Sequence, residues 1–183
     1  MKKSILGLAV SALFMVGAAQ AATNPNDISA NLQITGSVVS DINSACTVSL
    51  SQESITLPSQ EVNALIEQGA NAESVVPVTL SIVGGADCPN LVTSGKMAYK
   101  FTGVSDNAEG TALANQDTTA QGATGVGVGV FSGDNTPVRV NSTDSLRAYQ
   151  EGTTIGLSMV RLAGQTPKAG RVSASLTINI ERL

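Results

Sequence analysis

Ala30-Asn31-Leu32-Gln33-Ile34-Thr35-Gly36-Ser37-Val38 and Val172-Ser173-Ala174-Ser175-Leu176-Thr177-Ile178-Asn179-Ile180 alternate in the same way: every second residue is apolar or glycine, and those between are polar. Period-2 alternation over nine residues places one set of side chains on one face of an extended strand, so each stretch predicts a strand with one buried face. In the first, Gly36 falls on that face and leaves a gap where a side chain would pack. Such a gap costs packing and brings a closed domain no benefit. Something must therefore need the gap.

Between these two stretches the chain continues in the same style. Charged residues are 13% and glycine alone numbers 18 of 183, a composition that favours strands and turns over surface helices. Candidate strands are 30–40, 45–50, 53–57, 75–83, 96–104, 125–131, 137–140, 154–162 and 171–181. Turn signals such as Gly84-Gly85, Ser132-Gly133-Asp134-Asn135 and Ala163-Gly164-Gln165-Thr166-Pro167 separate them. Short strands at this spacing predict an all-β, two-sheet sandwich. Gln60–Gly69 departs from the pattern: Val62, Leu65 and Ile66 stand at helical spacing before Gly69, which predicts a short helix. Residues 105–123 are polar and predict an exposed loop.

The N-terminus carries Lys2 and Lys3, an apolar run from Ile5 to Val16, and small residues ending at Ala19-Gln20-Ala21, the layout of a secretory signal peptide over residues 1–21. The apolar run is too short to span a bilayer. Removing residues 1–21 leaves 162 residues with 8 basic and 14 acidic side chains. No basic cluster is present to neutralise phosphates, so nucleic-acid binding is disfavoured. Two cysteines, Cys46 and Cys88, in an exported chain suggest one disulfide made in an oxidising compartment, for which the bacterial periplasm is the natural candidate; free thiols or an intermolecular bridge are the alternatives.

Histidine is absent, which removes the commonest general base, the Ser-His and Cys-His nucleophile pairs, and most zinc or copper sites. The fourteen acids are scattered singly beside turn residues, as in Asp106-Asn107 and Asp134-Asn135, and read as solvated surface charge. A carboxylate-based hydrolase would need two of them in one cleft. Gly125-Val126-Gly127-Val128-Gly129-Val130-Phe131 has the glycines of a phosphate loop without the strand-to-helix turn such a loop requires. Its glycine face is suited instead to close approach by another segment. Aromatic residues are 3%, with no tryptophan, so a sugar-binding platform is unsupported, and Phe101 and Phe131 fall in strand patterns where core packing is the default. Asn141-Ser142-Thr143 matches a glycosylation acceptor by chance. These residues predict no catalytic, cofactor or metal site.

Taken together, the strand Leu32–Val39, Cys46 soon after it, the strand Pro77–Val83 leading into Asp87-Cys88, the strand Thr124–Phe131, the turn Gly164–Gly170 with Pro167, and the alternating C-terminal strand resemble the type 1-like pilins of chaperone-usher fimbriae. The resemblance implies an incomplete immunoglobulin-like sandwich lacking its last strand, with a hydrophobic groove beside the final one. A periplasmic chaperone would cover that groove. In the fibre, the N-terminal arm of the neighbouring pilin subunit would replace it by donor-strand exchange, with an outer-membrane usher as a further partner.

By the same resemblance, residues 22–38 would form the donor arm and 39–183 the pilin domain. Ala30, Leu32, Ile34, Gly36 and Val38 would face the groove, and Val172, Ala174, Leu176, Ile178 and Ile180 would line it. Cys46 and Cys88 would form the family disulfide. The family commonly has an aromatic residue second from the end, where this chain has Arg182 before Leu183. The expected product is a structural subunit of a surface fimbrium that supports cell adhesion. The alternatives are a minor adaptor or tip subunit, a single-domain adhesin contacting a host receptor through loops such as 105–123, and a closed sandwich whose first strand pairs within its own chain.

Overall fold

A computed structural model describes residues 30–35 and 45–183. The expected signal peptide, the start of the arm, and Gly36 and Val38 lie outside the described residues.

Two sheets make the fold. The strands are β1 (Ala30–Thr35), β2 (Cys46–Leu50), β3 (Ser54–Leu57), β4 (Ile66–Glu67), β5 (Val76–Gly84), β6 (Met97–Gly103), β7 (Leu113–Ala114), β8 (Val126–Phe131), β9 (Leu146–Arg147), β10 (Thr153–Arg161) and β11 (Val172–Arg182), with one short helix, α1 (Cys88–Thr93). One sheet runs β3-β1-β11-β6-β9 and the other β2-β5-β10-β8-β7, with β4 pairing onto β10.

The core lies between the sheets and draws on the inward phase of each strand. On β11 it takes Val172, Ala174, Leu176 and Ile178, on β6 Met97, Tyr99 and Phe101, on β8 the three valines, and on β10 Ile155, Leu157 and Met159. Strands β8 and β10 are buried on both faces, because a second, smaller cluster of Ala72, Ala112, Phe131, Val160 and Leu162 covers the outside of that sheet. The glycines of β8 make this possible. A β-carbon on Gly127 would stand 2.5 Å from the Leu113 carbonyl oxygen, and one on Gly129 would stand 2.7 Å from the Phe131 ring. The close approach of another segment expected of the glycine face is present at Gly127, where β7 makes it, while at Gly129 the space is taken by Phe131 of the same strand. Phe131 packs in this outer cluster rather than between the sheets.

Three expectations are corrected. Residues 60–69 form no α-helix: Val62–Ala64 make a single 3-10 turn and Ile66–Glu67 become β4. The reason is that Leu65 packs into the main core while its neighbour Ile66 packs against the outer cluster, and adjacent residues pointing to opposite sides demand extended backbone. Residues 137–140 form no strand. Val138 N–H bonds to Val130 and Val140 N–H to Gly110, while Asn141 N–H bonds to Phe101, so the segment crosses from one sheet to the other without following either. Residues 105–123 are not simply an exposed loop, since Ala112 and Leu113 are buried and β7 pairs with β8.

Helix α1 was not anticipated, although its signals are present. Pro89 sits in its first turn. Gly95, at φ +71°, closes it with Gly95 N–H to Val92 C=O at 2.9 Å and Lys96 N–H to Leu91 C=O at 2.9 Å, the paired bonds of a glycine-terminated helix.

Candidate functional site: a strand slot in the sheet

The two stretches that open the sequence analysis meet as neighbouring strands. β1 lies parallel to β11, with Ala30 opposite Val172, Leu32 opposite Ala174 and Ile34 opposite Leu176. On its other edge it lies antiparallel to β3, with Ala30 opposite Leu57 and Leu32 opposite Ile55. These wall residues are almost fully buried, Ile55 at 1% exposure and Leu176 at 0%. The register thus sets the apolar phase of β1 opposite core residues on both walls. Asn31, Gln33 and Thr35 stand opposite the polar Ser173, Ser175 and Thr177.

β1 therefore occupies an interior place in its sheet, and it is the only strand that joins β3 to β11 among the described residues. Without it, β3 and the near edge of β11 would face each other across a gap one strand wide, lined with unpaired backbone groups. The pairing is within one chain, as the closed-sandwich alternative supposes. Ile178 and Ile180 continue the inward phase of β11 past the described end of β1 and stand opposite Phe101 and Tyr99 of β6. Ile178 is buried, and Ile180 packs against the core while partly exposed. At the end of the chain Arg182 stands opposite Met97, and Leu183 donates its N–H to Lys96 C=O at 3.0 Å while leaving its side chain 66% exposed.

The far wall is held by groups the sequence did not single out. The Asn115 carboxamide donates to Ala123 and Arg171 carbonyls at 2.8 and 2.9 Å and accepts from the N–H of Asp117 and Ser173. All four of its near-planar bonding directions are used, and the start of β11 is pinned to the 105–123 segment. Asn141 does the same for β6: its side chain accepts from Gly103 N–H at 3.1 Å and donates to Gly103 C=O at 2.8 Å. That engagement also disposes of Asn141 as a free acceptor amide. Neither role has a signature in a polar, irregular stretch.

Cys46 and Cys88 are joined in a disulfide, with Cα atoms 5.8 Å apart. It fastens the first residue of β2 to the first residue of α1, which follows β5 in the chain.

Among the described residues, the acid–base groups with shifted pKa values stand apart from one another. Burial pushes the Tyr99 phenol up to about 12, with the Thr153 hydroxyl pulling weakly the other way. Tyr99 Oη nonetheless has no hydrogen-bond partner, while the Thr153 hydroxyl donates to Arg147 C=O and accepts from Tyr149 N–H. Asp117 and Asp134 are held below the usual carboxylate range by hydrogen bonds from Thr119 and from Ser132 and Thr136; both carboxylates are spent on closing their own turns. A surface cleft of about 400 Å³ between β4 and the 162–167 turn holds the Glu67–Arg161 ion pair. No cluster of three or more potential metal ligands occurs among the described residues.

The profile of the family described as "Fimbrial protein" matches residues 32–181. A search of curated protein sequences returns no match. Among solved structures, the crystal structure of the P pilus rod subunit PapA is similar, with a TM-score of 0.54 and 15% sequence identity over 81% of this chain and 100% of that one. At that identity the likeness speaks for the fold, an all-β pilin-type immunoglobulin-like sandwich. With the family match spanning both walls of the slot, the disulfide and nearly the whole described chain, this protein belongs to the fimbrial protein family, a family of structural rather than catalytic proteins.

Proposed function

We propose that this chain is a structural subunit of a surface fimbrium that polymerises by donating its N-terminal strand to the slot between β3 and β11 of a neighbouring copy. The observation that carries the reading is the place of β1. The strand β1 fills the interior of a sheet and, among the described residues, alone connects β3 to it. A strand with that position contributes the same ladders whether it comes from its own chain or another, so exchanging it between copies sacrifices little pairing. Exchange in one direction only is a head-to-tail contact that does not close, and such contacts build filaments.

On this reading Ala30, Leu32, Ile34, Gly36 and Val38 are the donated positions, and Val172, Ala174, Leu176, Ile178 and Ile180, with Ile55 and Leu57 of β3, are the receiving ones. A chain in transit must keep the slot covered. The arm's own insertion is one cover, and a periplasmic chaperone handing the subunit to an outer-membrane usher is the other. The test is to purify residues 22–183 with the disulfide formed, allow assembly, and compare boiled and unboiled samples on a denaturing gel. A ladder of multimers that collapses to monomer on boiling is expected, since an interlocked strand survives detergent without a covalent bond. Monomer alone in both lanes, from protein that was soluble and folded before loading, would overturn the proposal in favour of a self-filled sandwich.

A further inference from the structure

Arg147 and Tyr149 flank Ala148, whose side chain is 1% exposed. With Ala148 turned into the core, its two neighbours project outward together from extended backbone. Thr153 fixes both positions: its hydroxyl donates to Arg147 C=O at 3.1 Å and accepts from Tyr149 N–H at 3.2 Å, while Ala148 N–H bonds to Met97 C=O at 3.1 Å. The Arg147 guanidinium lies over the Tyr149 ring, 5.7 Å from its centroid, and against Gly95, where a β-carbon would stand 2.6 Å from one of its nitrogens. Gly95 thus serves twice, closing α1 and leaving room for the arginine. Tyr149 is 48% exposed, whereas Tyr99, Phe101 and Phe131, the other aromatic side chains among the described residues, are buried.

The sequence shows no basic cluster, but the fold makes one. Lys96, Lys100, Arg147 and Arg182 are four of the 8 basic residues in 22–183, and β6, β9 and the end of β11 bring them together. Arg147 stands opposite Ala98, Lys100 follows Ala98 on the same face of β6, and Arg182 stands opposite Met97, next to Lys96. Two acids are placed among them: Glu181, opposite Ala98 on β11, and Glu151, two residues past Tyr149. Neither Lys96 nor Arg147 is ion-paired among the described residues. On a chain whose acids outnumber its bases 14 to 8, this is a cationic patch around one open aromatic ring.

Each part has a matching chemistry. A guanidinium fork fits the paired oxygens of a carboxylate or sulfate, and an ammonium adds a point charge beside it. A half-open tyrosine ring offers a surface to the apolar face of a sugar. Because the backbone on both sides of Ala148 is already pinned, binding orders little that is not ordered beforehand. A nucleic-acid backbone would need a longer basic track. We propose that the Arg147–Tyr149 shelf, with Lys96 beside it, binds an acidic saccharide, a sugar ring that carries a carboxylate or a sulfate. The inference is independent of how the slot beside β11 is filled. Copies joined in a fibre would repeat the site, and repetition strengthens weak binding through avidity.

The test passes folded, disulfide-bonded 22–183 over immobilised heparin, hyaluronan, poly-glutamate and neutral dextran. Heparin is sulfated and hyaluronan carries carboxylates alone, so the two report which anion is taken. Retention on one or both of them, above that on dextran and poly-glutamate and weakening as salt is raised, is expected. Arg147→Gln should weaken it about tenfold and Tyr149→Ala about fivefold, while Tyr149→Phe keeps the ring and should bind like the parent. Arg161→Gln and Lys168→Gln remove the same charge elsewhere and should have little effect. Urea midpoints confirm that each variant is folded. No retention on either acidic saccharide, equal retention on poly-glutamate, equal losses from the two control variants, or binding indifferent to Tyr149→Ala would each overturn the inference.

Discussion

Asn115 accepts the N–H of Ser173 at 2.9 Å across 58 residues of sequence, and the adjacent Gln116 N–H returns a bond to Ser173 C=O at 2.7 Å. Both backbone groups of Ser173 are thus engaged on the edge of β11 that faces away from β1. The start of β11 is a wall braced from behind, which is what a slot needs if its occupant is to be replaceable.

Replacing Asn115 by Ala removes a group bonded to two carbonyls and two N–H groups. Loss of about 2 kcal/mol is expected once water recovers some of those groups. Asn115→Asp should cost more, because a carboxylate would face the two carbonyls that the amide now serves. Urea unfolding of each variant checks both the loss and the order.

Reducing the Cys46–Cys88 bridge opens a loop with a sequence separation of 42, worth roughly 4 kcal/mol on the chain-entropy estimate. Unfolding curves with and without reductant should differ by about that amount. Cys46→Ser with Cys88→Ser should match the reduced protein and show no response to reductant.

Gly127→Ala brings a methyl within 2.5 Å of the Leu113 carbonyl oxygen and 2.9 Å of the Leu162 side chain. Neither β7 nor β8 has room to retreat, since β8 is buried on both faces. Destabilisation of roughly 1–3 kcal/mol is expected, whereas Gly164→Ala, where nothing lies within 4 Å, meets no clash and should pay only for its positive φ. Thermal unfolding of the two variants side by side separates packing from backbone strain.

The Tyr99 phenol has a folded pKa near 12 against an ordinary value of 10.0. Its contribution is intact below pH 10 and is lost as pH rises from about 10 to about 12, because the unfolded chain releases the proton first. A shift of this size corresponds to about 2–3 kcal/mol. Tyr99→Phe should remove this alkaline loss and be close to neutral at pH 7, since it also removes a buried hydroxyl that lacks a partner. Stability measured from pH 8 to pH 12 for both proteins checks the sign.

The alternating runs were legible at 30–35 and 172–180 because each residue's face follows from its parity alone, and the same parity identified β8 with its glycine face. The false helix at 60–69 shows where parity stops. Val62, Leu65 and Ile66 have helical spacing, but they serve two different clusters on two sides of a sheet, and one-dimensional spacing cannot distinguish one helical face from two extended ones. The 105–123 and 137–140 segments misled for a related reason: their hydrogen bonds go to distant partners, Asn115 to residues 171 and 173, Val140 to Gly110.

By itself the sequence determined the all-β class, the two alternating strands that meet in the slot, the absence of histidine chemistry and the two cysteines available for a bridge. These follow from composition and local periodicity, which act over a few residues. Only the tertiary structure decided that β3 is the second wall, that the arm's described residues lie parallel to β11, and that Asn115 and Asn141 brace the strands. Those depend on which segments the fold brings side by side, and a pairing between residues separated by tens of positions leaves no mark on the residues nearby in the chain.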